Sequence, residues 1–125
     1  NIATGETDLE GIVKILVTYW TAVSQVFPEA WAKPPAKSRL MHGAGIRSMG
    51  RLMDKIMPSI NLHKANAGTQ VATEIQRIAP ICRWTKGRWE DLDGLRWNEI
   101  QVVPRHINVL SNLLIRAYLH ARGTG

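Results

Sequence analysis

Residues 9–27, LEGIVKILVTYWTAVSQVF, decide how this chain is read. Leu9, Ile12, Val13, Leu16, Trp20, Val23 and Phe27 recur at intervals of three and four, the spacing that lines one face of an α-helix. Just ahead, Thr7-Asp8-Leu9-Glu10 has the form of a capping box, in which the Thr7 hydroxyl accepts the Glu10 amide and Glu10 reaches back to Thr7. Pro28 cannot continue a helix and stops it. The expectation is a frayed lead-in of six residues, then a helix over 7–27 with that stripe buried.

Working outward, the same period returns three times. Ser38 suits the N-cap of a second helix running to Met57, where Pro58 ends it. Its apolar set is Leu40, Met41, Ala44, Met49, Leu52, Met53 and Ile56. Gly43, Gly45 and Gly50 weaken it by roughly 1 kcal/mol each relative to alanine, so another helix is expected to cross closely there. Thr69 caps a third, shorter helix through Val71, Ala72, Ile75 and Ile78, closed by Pro80. Pro104 sits where a first turn tolerates proline. The last helix follows through Ile107, Leu110, Leu114, Ala117, Tyr118 and Ala121, with Arg116 and Arg122 near its negative end and Gly123 as a stop. Between the third and last helices, Trp84, Trp89, Leu92, Leu95 and Trp97 are interrupted by Gly87 and Gly94. Their spacing predicts short helical turns that pack indoles onto the core, with no strand. The fold class expected is all-α: four main helices plus a Trp-rich connector, in orthogonal or bundle-like packing, as a single domain over residues 1–125.

Composition bounds the rest. With 125 residues, 45% hydrophobic and 21% charged, the chain suits one globular domain that needs neither disulfides nor metal to fold. Cys82 is the single cysteine, which excludes an intramolecular disulfide and fits a reducing cytoplasm. No apolar run approaches the roughly 18 residues of a membrane span, and no signal peptide opens the chain. It begins at Asn1, not Met, which leads us to expect a fragment of a longer protein. Sixteen Lys and Arg against ten Asp and Glu leave a net charge of +6, which favours polyanionic partners.

Catalytic constellations are thin. His42, His63, His106 and His120 are scattered, without metal-ligand spacing, so neither metal nor cofactor is expected. Cys82 has Arg83 beside it but no neighbouring histidine, which reads as a structural thiol. Glu90, Asp91 and Asp93 could serve acid–base or Mg²⁺ chemistry if a histidine met them in a cleft, although acids at the start of a helical turn account for them more simply. Gly43-Ala44-Gly45 lacks the preceding strand and Lys-Ser/Thr tail of a phosphate loop.

The basic residues are the informative set. No acid occurs between Glu29 and Asp54, while Lys33, Lys37, Arg39, Arg47 and Arg51 do. Arg47, Arg51 and Lys55 are spaced by four and so share a helix face, a row suited to phosphates. Arg83-Trp84, Lys86 and Arg88-Trp89 interleave cations with indoles, as in surfaces that stack on single-stranded bases. The plainer readings are a solvated helix face and core tryptophans flanked by surface charge. The candidate nucleic-acid contacts are Arg39, Arg47, Arg51, Lys55, Arg83, Lys86 and Arg88.

The stretch Gly87-Arg88-Trp89-Glu90-Asp91-Leu92, then Leu95-Arg96-Trp97-Asn98-Glu99-Ile100-Gln101, Pro104, Leu110-Ser111-Asn112 and Leu114-Ile115-Arg116-Ala117-Tyr118 resembles the C-terminal part of DGQHR-domain proteins. That family includes the bacterial DNA phosphorothioation (sulfur-modification) regulator. Tyr19-Trp20, Phe27-Pro28-Glu29-Ala30-Trp31 and Leu40-Met41-His42-Gly43-Ala44-Gly45 are similar to the preceding part. The resemblance implies a bacterial, cytoplasmic, DNA-associated protein engaged in transcription regulation, DNA modification or defence. The Asp-Gly-Gln-His-Arg motif itself is absent, so no site residue transfers with it. The leading expectation is a non-catalytic helical domain that contacts DNA phosphates. The alternative is a protein-interaction or homodimerisation domain, using the glycine-notched second helix and Met41, Met49, Met53 and Met57 as an adaptable surface.

Overall fold

The computed structural model describes residues 5–124, with side chains from 9 to 123. Five α-helices are present: α1 (Gly5–Val26), α2 (Pro28–Trp31), α3 (Gly43–Ile56), α4 (Ala67–Gln76) and α5 (Pro104–Thr124). Short 3-10 turns follow α3 and α4; a third joins the strands of a small antiparallel hairpin, β1 (Arg88–Trp89) and β2 (Leu95–Arg96), and a fourth follows it. The chain is mostly helical, and the hairpin corrects the expectation of an all-α connector. No helix among the described residues is long and apolar enough to cross a membrane.

The helices associate as two pairs, α1 with α4 and α3 with α5. α3 and α5 run in the same direction: Gly43 abuts Val102, just ahead of α5, and two turns on Arg51 reaches Asn108 and Ser111. Two tyrosines tie elements together. The fully buried Tyr19 donates to the Met49 carbonyl at 2.5 Å, joining α1 to α3. Tyr118 donates to Glu74 at 2.7 Å, joining α5 to α4, and Arg77 pairs with the same carboxylate. Around these ties the core collects Val23, Leu40, Met49, Leu52, Ile56, Val71, Ile75, Trp89, Ile100, Leu110 and Leu114.

Helix α1 departs from the expected burial. Among its described side chains only Tyr19, Ala22 and Val23 are fully enclosed, while Leu9, Ile12, Val13, Leu16 and Val17 are 40–62% exposed. Length explains this: the 22 residues of α1 rise about 33 Å and the 10 of α4 about 15 Å, so the partner covers roughly half. The helix also starts at Gly5, two residues ahead of Thr7. The Thr7 side chain, and with it the capping box, lies outside the described residues.

Two other helix starts move. α3 is capped by His42, whose Nδ1 accepts the Ala44 amide at 3.4 Å, and not by Ser38. Residues 38–42 are held in a turn by the bond from the Arg39 amide to the Trp84 carbonyl, at 2.9 Å, and by Ser38–Met41 and Arg39–His42 backbone bonds. Tertiary contacts thus override the local capping preference, leaving Ser38 buried with its hydroxyl unpaired. α4 begins after Asn66, so Thr69 lies inside the helix and not at its cap. The glycines of α3 also serve a different purpose from the one expected. A Cβ on Gly45 would overlap the Arg39 carbonyl group, so the neighbour that requires glycine is the preceding loop, not a crossing helix.

The hairpin is built from backbone sign changes. Gly87 (φ 83°), Asp93 (φ 58°) and Gly94 (φ 71°) adopt left-handed conformations, which glycine tolerates freely and Asp better than most side chains. Arg88 pairs with Arg96 and Trp89 with Leu95. This register turns Trp89 fully inward and Arg88 outward.

Candidate nucleic-acid interface

The row on α3 survives as a surface. Ala44, Gly45, Ser48, Met49, Leu52 and Ile56 face the core, and Arg47, Arg51 and Lys55 are all exposed alongside them. Lys55 lies in the last turn, where the helix dipole favours a cation. Arg51 is partly engaged, with one guanidinium nitrogen 2.8 Å from Asn108 Oδ1 and 3.4 Å from Ser111 Oγ. That contact fixes its direction without neutralising it, because both partners are uncharged. Exposed Asp54 bounds the row and lowers its positive potential at that end.

The other candidates are differently employed. Arg39 is a strut: Nε donates to the Ile100 carbonyl at 2.9 Å and a terminal nitrogen to the Asn98 carbonyl at 2.7 Å. Its guanidinium also lies 5.8 Å from the centre of the Trp97 ring. The side chain therefore pins the loop before α5 to the loop before α3. Arg88 donates to the Gly94 carbonyl at 2.9 Å and so closes the hairpin turn. Arg83 donates through one nitrogen to the carbonyls of Pro80 and Cys82, at 2.8 and 2.9 Å. Lys86 is exposed beside it.

The indoles do not form a stacking surface of the kind the interleaved pattern suggested. Trp89 is fully buried and Trp84 only 4% exposed, packed edge-to-face 5.1 Å apart. Both indole N–H groups are buried without a hydrogen-bond acceptor. Met49 and Met57 are likewise buried and Met41 and Met53 half-buried, which removes the methionine surface.

A second charged cleft, about 520 Å³, runs between the hairpin and α5 and is lined by Asp91, Asp93, Arg105, His106 and Arg116. Sequence reasoning passed over Arg105 and Arg116, although Arg105, Val109, Asn112 and Arg116 follow the spacing of one α5 face. His106 uses Nδ1 to accept the Gln101 amide at 2.8 Å, which orders the entry to α5. Among the described residues no group of three or more His, Cys, Asp or Glu converges well enough to hold a metal ion. Cys82 donates to the Ile78 carbonyl at 3.3 Å, and burial pushes its pKa well up against the opposing effect of Arg83, which keeps the thiol protonated and unreactive.

No protein-family model matches the chain, and no solved structure matches it. Among curated proteins, an isoleucine–tRNA ligase from Methanoculleus marisnigri is similar, 27% identical over 84 residues. The match takes in 67% of this chain and 8% of the ligase, so the chain spans only a small part of that relative's length.

Proposed function

We propose that this chain is a non-catalytic helical domain that contacts the phosphates of nucleic acid, as an accessory or regulatory part of a bacterial DNA-associated protein. The observation that carries the reading is the exposed row of Arg47, Arg51 and Lys55 on α3, beside the face that this helix buries. Cations four residues apart on a helix lie about 6 Å from one another, close to the spacing of successive phosphates along a strand. Lys86 is a further exposed cation outside the row. The net charge of +6 supports the same partner class, as does the likeness to a ligase whose name includes tRNA. The contacts proposed are to phosphates, which carry no sequence information, so the binding is sequence-independent and strongly salt-dependent. Fluorescence anisotropy with duplex DNA, single-stranded DNA and tRNA across a salt series tests it. Affinity should fall steeply with salt, and fall again in the Arg47→Ala/Arg51→Ala double variant. Absence of binding at low salt would remove the proposal.

A second reading, association with another protein chain, is favoured by one observation. Leu9, Ile12, Val13, Leu16 and Val17 form an uncovered aliphatic ridge on α1, and contiguous apolar exposure of this kind marks interaction surfaces. The alternative of an interaction or homodimerisation domain thereby shifts from the methionines to α1. Analytical ultracentrifugation of the wild type and of Ile12→Lys distinguishes the readings: an interaction domain self-associates or binds its partner through the ridge, and the variant does not.

A further inference from the structure

An open cleft of about 640 Å³ lies between the α1–α2 junction and residues 82–87. Its volume lies within the range of roughly 300–1,000 Å³ typical of small-molecule sites. The apolar wall includes Phe27, Ala79 and Trp84. The Trp84 ring stands edge-to-face against Phe27, 6.1 Å away at 83°, and so fixes the plane of the half-buried Phe27 ring. Charged side chains are unevenly placed on the rim: Arg83 and Lys86 come from the loop and Glu29 from α2.

Arg83 is preorganised. One nitrogen is anchored to two carbonyls, and its Cδ lies 3.1 Å from where a Cβ on Gly87 would sit. Gly87, at φ 83°, therefore lets the Arg83 stem lie flat over the loop backbone. Beside it, Lys86 is exposed, with no hydrogen bond or ion pair to the described residues. A fixed guanidinium beside a mobile ammonium matches a doubly charged phosphate better than a single carboxylate.

We infer that this cleft binds a nucleotide, its base against Phe27 and the Trp84 edge, its phosphate between Arg83 and Lys86, and an exocyclic amine of the base donating to Glu29. An aromatic wall accepts any base by its π-face, so the site discriminates weakly among bases. A free nucleotide and a nucleotide at the end of a strand present the same base and phosphate, and in the second case the inference rests on the nucleic-acid reading above.

The test is ¹⁵N NMR of the full chain, which resolves the five indole N–H groups, titrated with adenosine monophosphate, ribose 5-phosphate and a single-stranded oligoadenylate. The monophosphate should shift the Trp84 indole and the amides of residues 82–87, with ribose 5-phosphate weaker by at least about tenfold, as expected for loss of 1–3 kcal/mol of base stacking. Lys86→Glu, at an exposed site that leaves the core intact, should weaken the monophosphate about tenfold or more. Equal shifts with ribose 5-phosphate would reduce the cleft to an anion site and overturn the inference, as would an unchanged affinity in Lys86→Glu. Binding of the monophosphate without salt-dependent duplex binding keeps the cleft and sinks the proposed function. Duplex binding through Arg47 with no shift at residues 82–87 does the reverse. Oligoadenylate shifts at the same resonances identify a strand nucleotide as occupant, and their absence beside monophosphate shifts identifies a free one.

Discussion

Replacing Arg39 separates a structural cation from a binding one. Arg39→Ala removes two well-formed bonds from a charged donor, to Ile100 O at 2.9 Å and Asn98 O at 2.7 Å. It also removes a long third bond to Pro35 O at 3.3 Å and the contact over Trp97. At the low end of the range for charged donors, taken because the guanidinium is half-exposed, the two good bonds contribute about 2–3 kcal/mol. The Trp97 contact adds about 0.5 kcal/mol, and the Pro35 bond is too long to count. A loss near 3 kcal/mol lowers Tm by about 10 °C in a domain of this size. It shifts the urea midpoint by about 1–2 M. Tryptophan fluorescence follows the transition, since Trp84 and Trp89 lie in the core. Arg39→Lys keeps the charge but loses the fork, and should recover less than half of the loss. The slope of log affinity against log salt should not change in Arg39→Ala, whereas Arg47→Ala should lower it by about 0.9 at little cost in stability. A stable Arg39→Ala protein with a reduced salt slope would refute the reasoning and return Arg39 to the phosphate contacts.

Further outcomes follow from other sites. Gly45→Ala places a methyl group into the Arg39 carbonyl, with backbone on both sides, so it should cost about 3 kcal/mol or more; Gly50→Ala, where nothing lies within 4 Å, should be neutral or stabilising by up to about 1 kcal/mol, and paired urea melts compare them. Tyr19→Phe removes the buried bond to Met49 O while the α3 ladder still occupies that carbonyl, so it should cost about 1–1.5 kcal/mol. Burial, reinforced by Arg39, holds the His42 imidazole below its ordinary 6.5. The unfolded chain therefore binds that proton more tightly, so stability contributed by neutral His42 is complete above pH 6.5 and declines as pH falls toward the folded value. His42→Asn, which keeps a capping side chain, should flatten that part of the stability–pH curve. Cys82, half-buried with its thiol held protonated, should react slowly with a thiol reagent at pH 8 in the folded protein and much faster in denaturant.

Much of the helical plan was legible because prolines and periodicity act locally. Pro28, Pro58 and Pro104 lie at or within two residues of α-helix ends in the structure, whereas α4 stops at Gln76, four residues before Pro80. The indoles of Trp84 and Trp89 went into the core, as a basic flank around large apolar rings suggests. The hairpin left a weaker trace. Two-residue strands are too short to alternate visibly, and the Asp93-Gly94 pair, a strong turn signal, was the one mark available. Of the candidate site, the Arg47 row was legible because four-residue spacing on one helix needs no tertiary information.

What the sequence alone determined is therefore what a segment settles within itself: which stretches are helical, where they stop, and which residues share a face. Tertiary structure decided which faces are covered and what each cation does. Leu9 to Val17 have the pattern of a buried stripe, yet the short partner helix leaves them in solvent. Arg39 and Arg47 are alike in sequence, and differ because one loop about 60 residues further along the chain turns two carbonyls onto the first, while among the described residues none meets the second. Periodicity reports a preference for burial, but burial itself requires a neighbour, and neighbours are set by how the helices pair.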